Sequence, residues 1–109
     1  MGRDSLGEFE HQILLAVLQH GGESYSVPIV IELEERAGRE VTQAAVFIVL
    51  RRLEEKGLLR YRVEAPGPDR GGHHRRLFEV TDGGIVALRE QRIVLERLWS
   101  GLEGMLRSP

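Results

Sequence analysis

Between Val41 and Leu59 the chain reads VTQAAVFIVLRRLEEKGLL, and a glycine-rich basic stretch, PGPDRGGHHRR, follows from Pro66 to Arg76. Val46, Val49, Leu50 and Leu53 recur at helical spacing and fall on one face. Thr42 suits the N-cap of that helix and Gly57 stops it. Beyond Gly57 the period changes. Within Leu58 to Ala65, Leu59, Tyr61 and Val63 alternate with Arg60, Arg62 and Glu64, the pattern of a half-buried strand. Pro66 to Gly72 is rich in turn residues. Arg75 to Val80 reads as a second short strand, with Phe78 and Val80 on one face and Leu77 on the other. A short helix running into a hairpin whose loop carries Gly, Arg and His is the arrangement of a winged helix-turn-helix.

The flanking segments supply the rest of such a fold. Leu6, Phe9, Ile13, Leu14, Val17 and Leu18 predict a first amphipathic helix over Leu6 to His20, with Ser5 as cap, Glu8 completing a capping box and Gly21-Gly22 as its end. A second helix begins near Ser24 or Ser26 with Pro28 in its first turn. Ile29, Val30, Leu33 and Ala37 form its apolar stripe, Glu32, Glu34 and Glu35 lie toward solvent, and Gly38 closes it. Thr81-Asp82 caps a fourth helix running toward Leu106. Its apolar positions are Leu88, Leu95, Leu98, Leu102 and Met105, widened by Trp99 and Leu106, and the last four form a short heptad-like seam. Ser100, Gly101 and Gly104 weaken the end of that helix. The expected fold is mainly α (α+β): three helices plus a two-stranded wing, then a C-terminal helix. Residues 1–80 would form the winged helix-turn-helix domain and residues 81–109 a dimerisation helix, burying Leu88, Leu95, Leu98, Trp99, Leu102 and Met105 against a second copy. The alternative is that this helix folds back on its own domain.

Charge distribution says more than total charge. The net charge is -2, yet residues 1–38 carry -5, residues 39–76 carry +4 and residues 77–109 carry -1. A basic middle between acidic ends is either a nucleic-acid patch or a solvated face. There is no cysteine, which excludes disulfides and thiolate metal sites and fits a reducing cytoplasm. No apolar run approaches the roughly 20 residues that span a membrane, and the first ten residues lack the apolar core of a signal peptide. His73 and His74 have no nearby Cys and only Asp69 as a carboxylate, so no metal site is expected. No nucleophile, phosphate-binding glycine motif or carboxylate pair points to catalysis, and no cofactor is implied.

Four stretches, LGEFEHQILLAVL, SYSVPIVIELEERAG, AAVFIVLRRLEEKGLL and GGHHRRLFEVTDGG, together resemble the PadR-like transcriptional regulators of bacteria. The resemblance extends from about Leu6 to Leu102. Its most specific parts are Val46-Phe47-x-x-Leu50-x-Arg52-Leu53-Glu54-x-x-Gly57-Leu58 and Phe78-x-Val80-Thr81-x-x-Gly84. It implies a homodimeric repressor bound to an inverted-repeat operator in double-stranded DNA, dimerisation through the C-terminal helix, and release by a small-molecule or stress signal. The short C-terminus is similar to that of the subgroup with a single dimerisation helix. Two departures stand out. Phe47-Ile48 replaces the family's usual Tyr-Pro, or Tyr followed by a small residue, so a hydroxyl is missing from the third helix. Leu77-Phe78 replaces an aromatic pair that often carries a hydroxyl.

In such a fold, phosphate contacts set position and groove contacts set sequence. With Val46, Leu50 and Leu53 inward, Ala44, Ile48 and Arg51 point away from the core. Gln43, in the first turn, suits adenine, and Arg51 suits guanine or a phosphate. Ala44 permits close approach, and Thr42 with the first helical N–H groups suits a phosphate. Phe47 either meets a thymine methyl or packs on the second helix. Tyr25 either donates to a phosphate or is buried between helices. Arg70, His73, His74, Arg75 and Arg76 furnish the wing, although Arg75 and Arg76 cannot face DNA equally. Lys56 and Arg60 are weaker candidates. An effector would enter between the fourth helix and the DNA-binding core, near Trp99 and Phe9. The competing reading is a winged-helix protein–protein adaptor without DNA binding, suited by the apolar Phe47-Ile48.

Overall fold

The computed structural model describes residues 6–65 and 74–107. The element order is α1 (Glu8–Gln19), β1 (Glu23–Ser24), α2 (Ser26–Ala37), α3 (Gln43–Glu55), β2 (Leu59–Glu64), β3 (Arg75–Val80), α4 (Asp82–Trp99) and α5 (Glu103–Leu106). Helices α1, α2 and α3 pack on one another around Ile13, Leu14, Val17, Ile29, Leu33, Val46, Leu50 and Leu53, joined by Leu59 and Phe78 from the sheet. This is a winged helix.

Most elements begin where local chemistry starts them. Thr42 accepts a hydrogen bond from the Ala45 N–H at 3.0 Å, and Thr81 accepts one from Gly84 at 3.1 Å, so both expected caps form. The start of α1 differs. Ser5 lies outside the described residues, and the reciprocal acceptor is Glu10, not Glu8: its Oε1 takes the Gly7 N–H at 2.9 Å. Glu10 takes this place because Gly7 is the N-cap residue, which makes Glu10 the third residue of the helix; its carboxylate also meets Lys56, just past the end of α3. Tyr25, rather than either serine, is the N-cap residue of α2.

The sheet has three antiparallel strands in the order β1-β3-β2, one more than expected. The extra strand pairs Glu23 with Glu79 and Ser24 with Phe78. The register of β2 on β3 sets Leu59 opposite Val80, Tyr61 opposite Phe78 and Glu64 opposite Arg75. Strand β2 is not half-buried along its length. Only Leu59 is fully buried, and Tyr61 and Val63 are exposed because the hairpin extends past the helices. In β3, Leu77 and Phe78 are both buried, although they point to opposite faces; Phe78 joins the main core and Leu77 lies outside it. On α2, Ala37 is exposed, and Glu32 is tucked in against Arg36 and His20 rather than lying free in solvent.

The C-terminal helix is shorter than its apolar pattern. It ends at Trp99, and Gly101, at φ 84°, turns the chain into the single turn of α5. A left-handed residue ends a helix whatever the apolar spacing beyond it. Leu95 and Leu98 therefore sit on α4, Leu102 lies in the break and Met105 is on α5. Leu88 is 7% exposed and belongs to the protomer's own core, which corrects its assignment to a dimer interface. From Arg92 to Arg107 every residue is exposed, including Ile93, Val94, Leu95, Leu98, Trp99 and Met105. Phe9 packs on the core beneath Arg39, whose guanidinium carbon lies 4.3 Å from its ring centroid. Trp99 is half-exposed and is not among the residues packed on that core, so the two do not form the anticipated ligand pocket together.

Candidate nucleic-acid interface

Helix α3 presents Ala44, Ile48, Arg51, Arg52 and Glu55 to solvent, opposite its buried Val46, Val49, Leu50 and Leu53. A shallow groove along this face is lined by Phe47, Ile48, Arg51, Arg52 and Glu55. Ile48 is 60% exposed. Among the described residues no carboxylate or ring is paired with Arg51, so its guanidinium keeps all its donors for a ligand.

Phe47 faces the protein. It packs against the core and meets Phe78 of the sheet edge-on, with ring centroids 6.2 Å apart. Arg76 lies over both Phe47 and Tyr61, at 5.1 and 5.0 Å from the ring centroids. Tyr61 also touches Phe78, at 5.6 Å. These contacts tie the wing to α3. Each cation–π contact adds about 0.5–1 kcal/mol at an exposed site and leaves the guanidinium charged.

The other face of the wing is organised around Tyr25. Its hydroxyl donates to Glu64 Oε1, and the Arg75 guanidinium stacks over its ring at 3.8 Å. Arg62 Nη2 lies 3.7 Å from both Glu64 and Glu23. Arg75 and Arg76 thus diverge, one to each face, as alternation in a strand requires. His74 is exposed just before β3, whereas Arg70 and His73 lie outside the described residues. Gln43 donates to Ser26 Oγ at 2.9 Å, which places it at the junction of the α2 and α3 N-termini. Thr42 uses its side-chain oxygen as a cap and is otherwise exposed.

The structure reduces the apparent positive charge of the middle segment. Lys56 is held by both oxygens of Glu10 at 2.9 and 3.0 Å, and Arg60 is paired with Glu79 at 2.9 Å. The Arg60 pKa is raised and the Glu79 pKa lowered by that hydrogen bond, with their mutual attraction next. Lys56 and Arg60, the weaker candidates, are thus each already paired with a carboxylate. Sequence reading missed three features: the Arg76–Phe47–Tyr61 stack, the Gln43–Ser26 contact and the place of Glu64. Only the last had a signal, since pairing the two strands sets Glu64 beside Arg75.

Among the described residues no group of His, Cys, Asp or Glu could hold a metal ion. No helix among them is long and apolar enough to cross a membrane.

The family model described as "Transcriptional regulator PadR-like family" matches residues 14–90. The fold is similar to that of a PadR family transcription regulator from hypervirulent Clostridium difficile, with 18% identity, coverage of 92% of this chain and 99% of that chain, and a TM-score of 0.73. It is also similar to a PadR family transcriptional regulator from Eggerthella lenta, at 25% identity, 89% and 82% coverage, and a TM-score of 0.67. A third similar structure is Bacillus subtilis PadR in complex with operator DNA, at 20% identity and a TM-score of 0.66. The match covers 79% of this chain but 47% of the Bacillus subtilis chain, so this chain spans about half of that length. No curated protein sequence matches this chain.

Proposed function

This chain belongs to the PadR-like family of transcriptional regulators, which are not enzymes, and we propose that it is a sequence-specific DNA-binding repressor acting as a dimer in the cytoplasm. The carrying observation is the outer face of α3, where Arg51 is exposed beside Ala44 and Ile48 and has no ion-pair partner among the described residues. That face enters the major groove, with Arg51 directed at guanine or a phosphate. Tyr25, Thr42 and Gln43 line up at the adjoining helix starts toward the backbone, and Arg75 with His74 approaches from the wing. Phe47 serves by bracing the wing through Phe78 and Arg76 rather than by touching a base.

Residues 1–80 form the DNA-binding part and residues 81–109 the dimerisation part in this reading. The apolar surface of Leu95, Leu98, Trp99, Leu102 and Met105 supports a second copy as partner, because a single protomer leaves it in water. Two copies then meet the two halves of an inverted repeat. Release by a small-molecule or stress signal is the corresponding regulatory step.

The test is fluorescence anisotropy with DNA from upstream of the protein's own gene and with a scrambled duplex. Preferred binding to the first, weakening steeply with salt, is expected. Absence of binding to either at low salt would sink the reading. The exposed Ile48 and the internally paired Lys56, Arg60 and Arg62 favour a second reading, a winged-helix adaptor for a protein partner. Salt-insensitive capture of one specific protein, with no DNA affinity, would establish it instead.

A further inference from the structure

Glu64 stands among the groups that the proposed interface would offer to a phosphate. One of its oxygens accepts from the Tyr25 hydroxyl and the other lies 3.7 Å from Arg62. Its cross-strand neighbour is Arg75, which stacks on the same tyrosine at 3.8 Å. The carboxylate is half-buried at the loop end of the paired strands, where the start of α2 meets the end of β2. A carboxylate taking a phenolic O–H on one side and facing a guanidinium on the other makes the contacts a phosphodiester oxygen would make.

We propose that Glu64 is an internal phosphate substitute: it holds Tyr25 and Arg62 in the free protein and gives them up to the DNA backbone on binding. The idea rests on the DNA-binding reading above. The exchange has two consequences. In the free protein Glu64 ties the outer end of the strand pair to the start of α2 by satisfying donors that would otherwise be partly desolvated. On DNA the displaced carboxylate is left close to a phosphate, so it weakens binding to every sequence alike and acts as a brake on non-specific affinity. Displacing it also requires uptake of a cation near the freed carboxylate, which offsets part of the counterion release from DNA.

The discriminating experiment uses the full chain and anisotropy titrations with an operator duplex and a scrambled duplex at several salt concentrations. Glu64→Gln keeps the size and an acceptor oxygen but removes the charge. It should tighten binding to both duplexes by about three- to tenfold and steepen the log–log salt slope by about 1. Glu23→Gln removes an equal charge facing the same Arg62 from β1 and should give a smaller gain. Tyr25→Phe should cost more affinity in the Glu64→Gln background than in the wild type, because a neutral amide oxygen holds the hydroxyl less strongly than a carboxylate and gives it up to a phosphate more readily. Unchanged or weaker binding by Glu64→Gln overturns the proposal, as does a gain equal to that of Glu23→Gln, or an equal Tyr25→Phe effect in both backgrounds. If the wild type binds no DNA, the functional reading falls. A Glu64→Gln variant that then binds still supports the brake, and one that also fails to bind overturns it as well.

Discussion

The carbonyl oxygen of Leu58 occupies the space a side chain at Gly84 would need. A Cβ built there would stand 2.4 Å from that oxygen and 2.8 Å from Val80 Cγ1. The same junction is closed by Thr81, whose N–H donates to Leu58 O at 3.1 Å and whose hydroxyl donates to Gly57 O at 2.7 Å. The first turn of α4 is thereby seated on the start of β2. Gly84→Ala is expected to force that seat apart and cost about 2–3 kcal/mol, a fall in Tm on the order of 10 °C. Thermal melts followed by circular dichroism would show it. An unchanged melt would contradict this packing.

The Glu10 carboxyl should make stability depend on acid. Burial raises its pKa, but the Gly7 N–H and Lys56 outweigh that effect and leave it below the ordinary carboxyl value of 4.5. A carboxyl with a depressed pKa in the folded state adds stability that is fully present above the unfolded value and is lost as pH falls through the folded one. Glu10→Gln is therefore expected to cost about 1–2 kcal/mol near pH 7. The gap to wild type should narrow steadily as pH falls below 4.5. Urea titrations at pH 7 and in that acidic range would measure both values, and a gap that does not narrow would exclude Glu10 as the titrating group.

These two sites also show which parts of the molecule were legible in the sequence. Thr42, Thr81 and the Val46–Leu50–Leu53 face could be read because caps and helical faces are set by residues a few positions apart. Strand β1 could not, since two residues carry no periodicity and Glu23 and Ser24 become a strand only by pairing with Glu79 and Phe78. The end of α4 was misplaced because the apolar spacing from Leu95 to Met105 continues past Gly101, where backbone conformation decides. Among the candidate contacts, Arg51 was legible from helix geometry. The neutralisation of Lys56 was not: its partner is 46 residues away in sequence, and charge counts contain no information on pairing.

Pairing should separate arginines that sequence alone treats as equivalent. Among the described residues Arg51 of α3 has no ion-pair partner, whereas Arg60 is bound to Glu79 on β3. Arg51→Ala is expected to weaken operator binding by about 1–3 kcal/mol and to flatten the salt slope by about 1 if a phosphate is its target. Arg60→Ala should change affinity less than threefold, in the range of an exposed ion pair of roughly 0–1 kcal/mol. Equal losses from both variants would mean that the Arg60–Glu79 pair opens on DNA.

The exposed C-terminal surface offers the clearest test of assembly. Leu98 is 67% exposed on the last turns of α4, whereas Leu88, ten residues earlier on the same helix, is buried in the protomer. A charge at Leu98 is therefore compatible with the folded protomer and incompatible with an apolar contact between copies. Leu98→Glu should shift light-scattering mass from dimer to monomer while leaving the far-ultraviolet circular dichroism unchanged. It should also weaken binding to a two-half-site operator far more than binding to a single half-site, because the second half-site is no longer held close by the first. Leu88→Ala should behave oppositely: about 2–4 kcal/mol less stable through a cavity, with no selective effect on two half-sites. A Leu98→Glu protein that keeps the wild-type mass would remove the C-terminal helix from the interface and leave its apolar face for another partner.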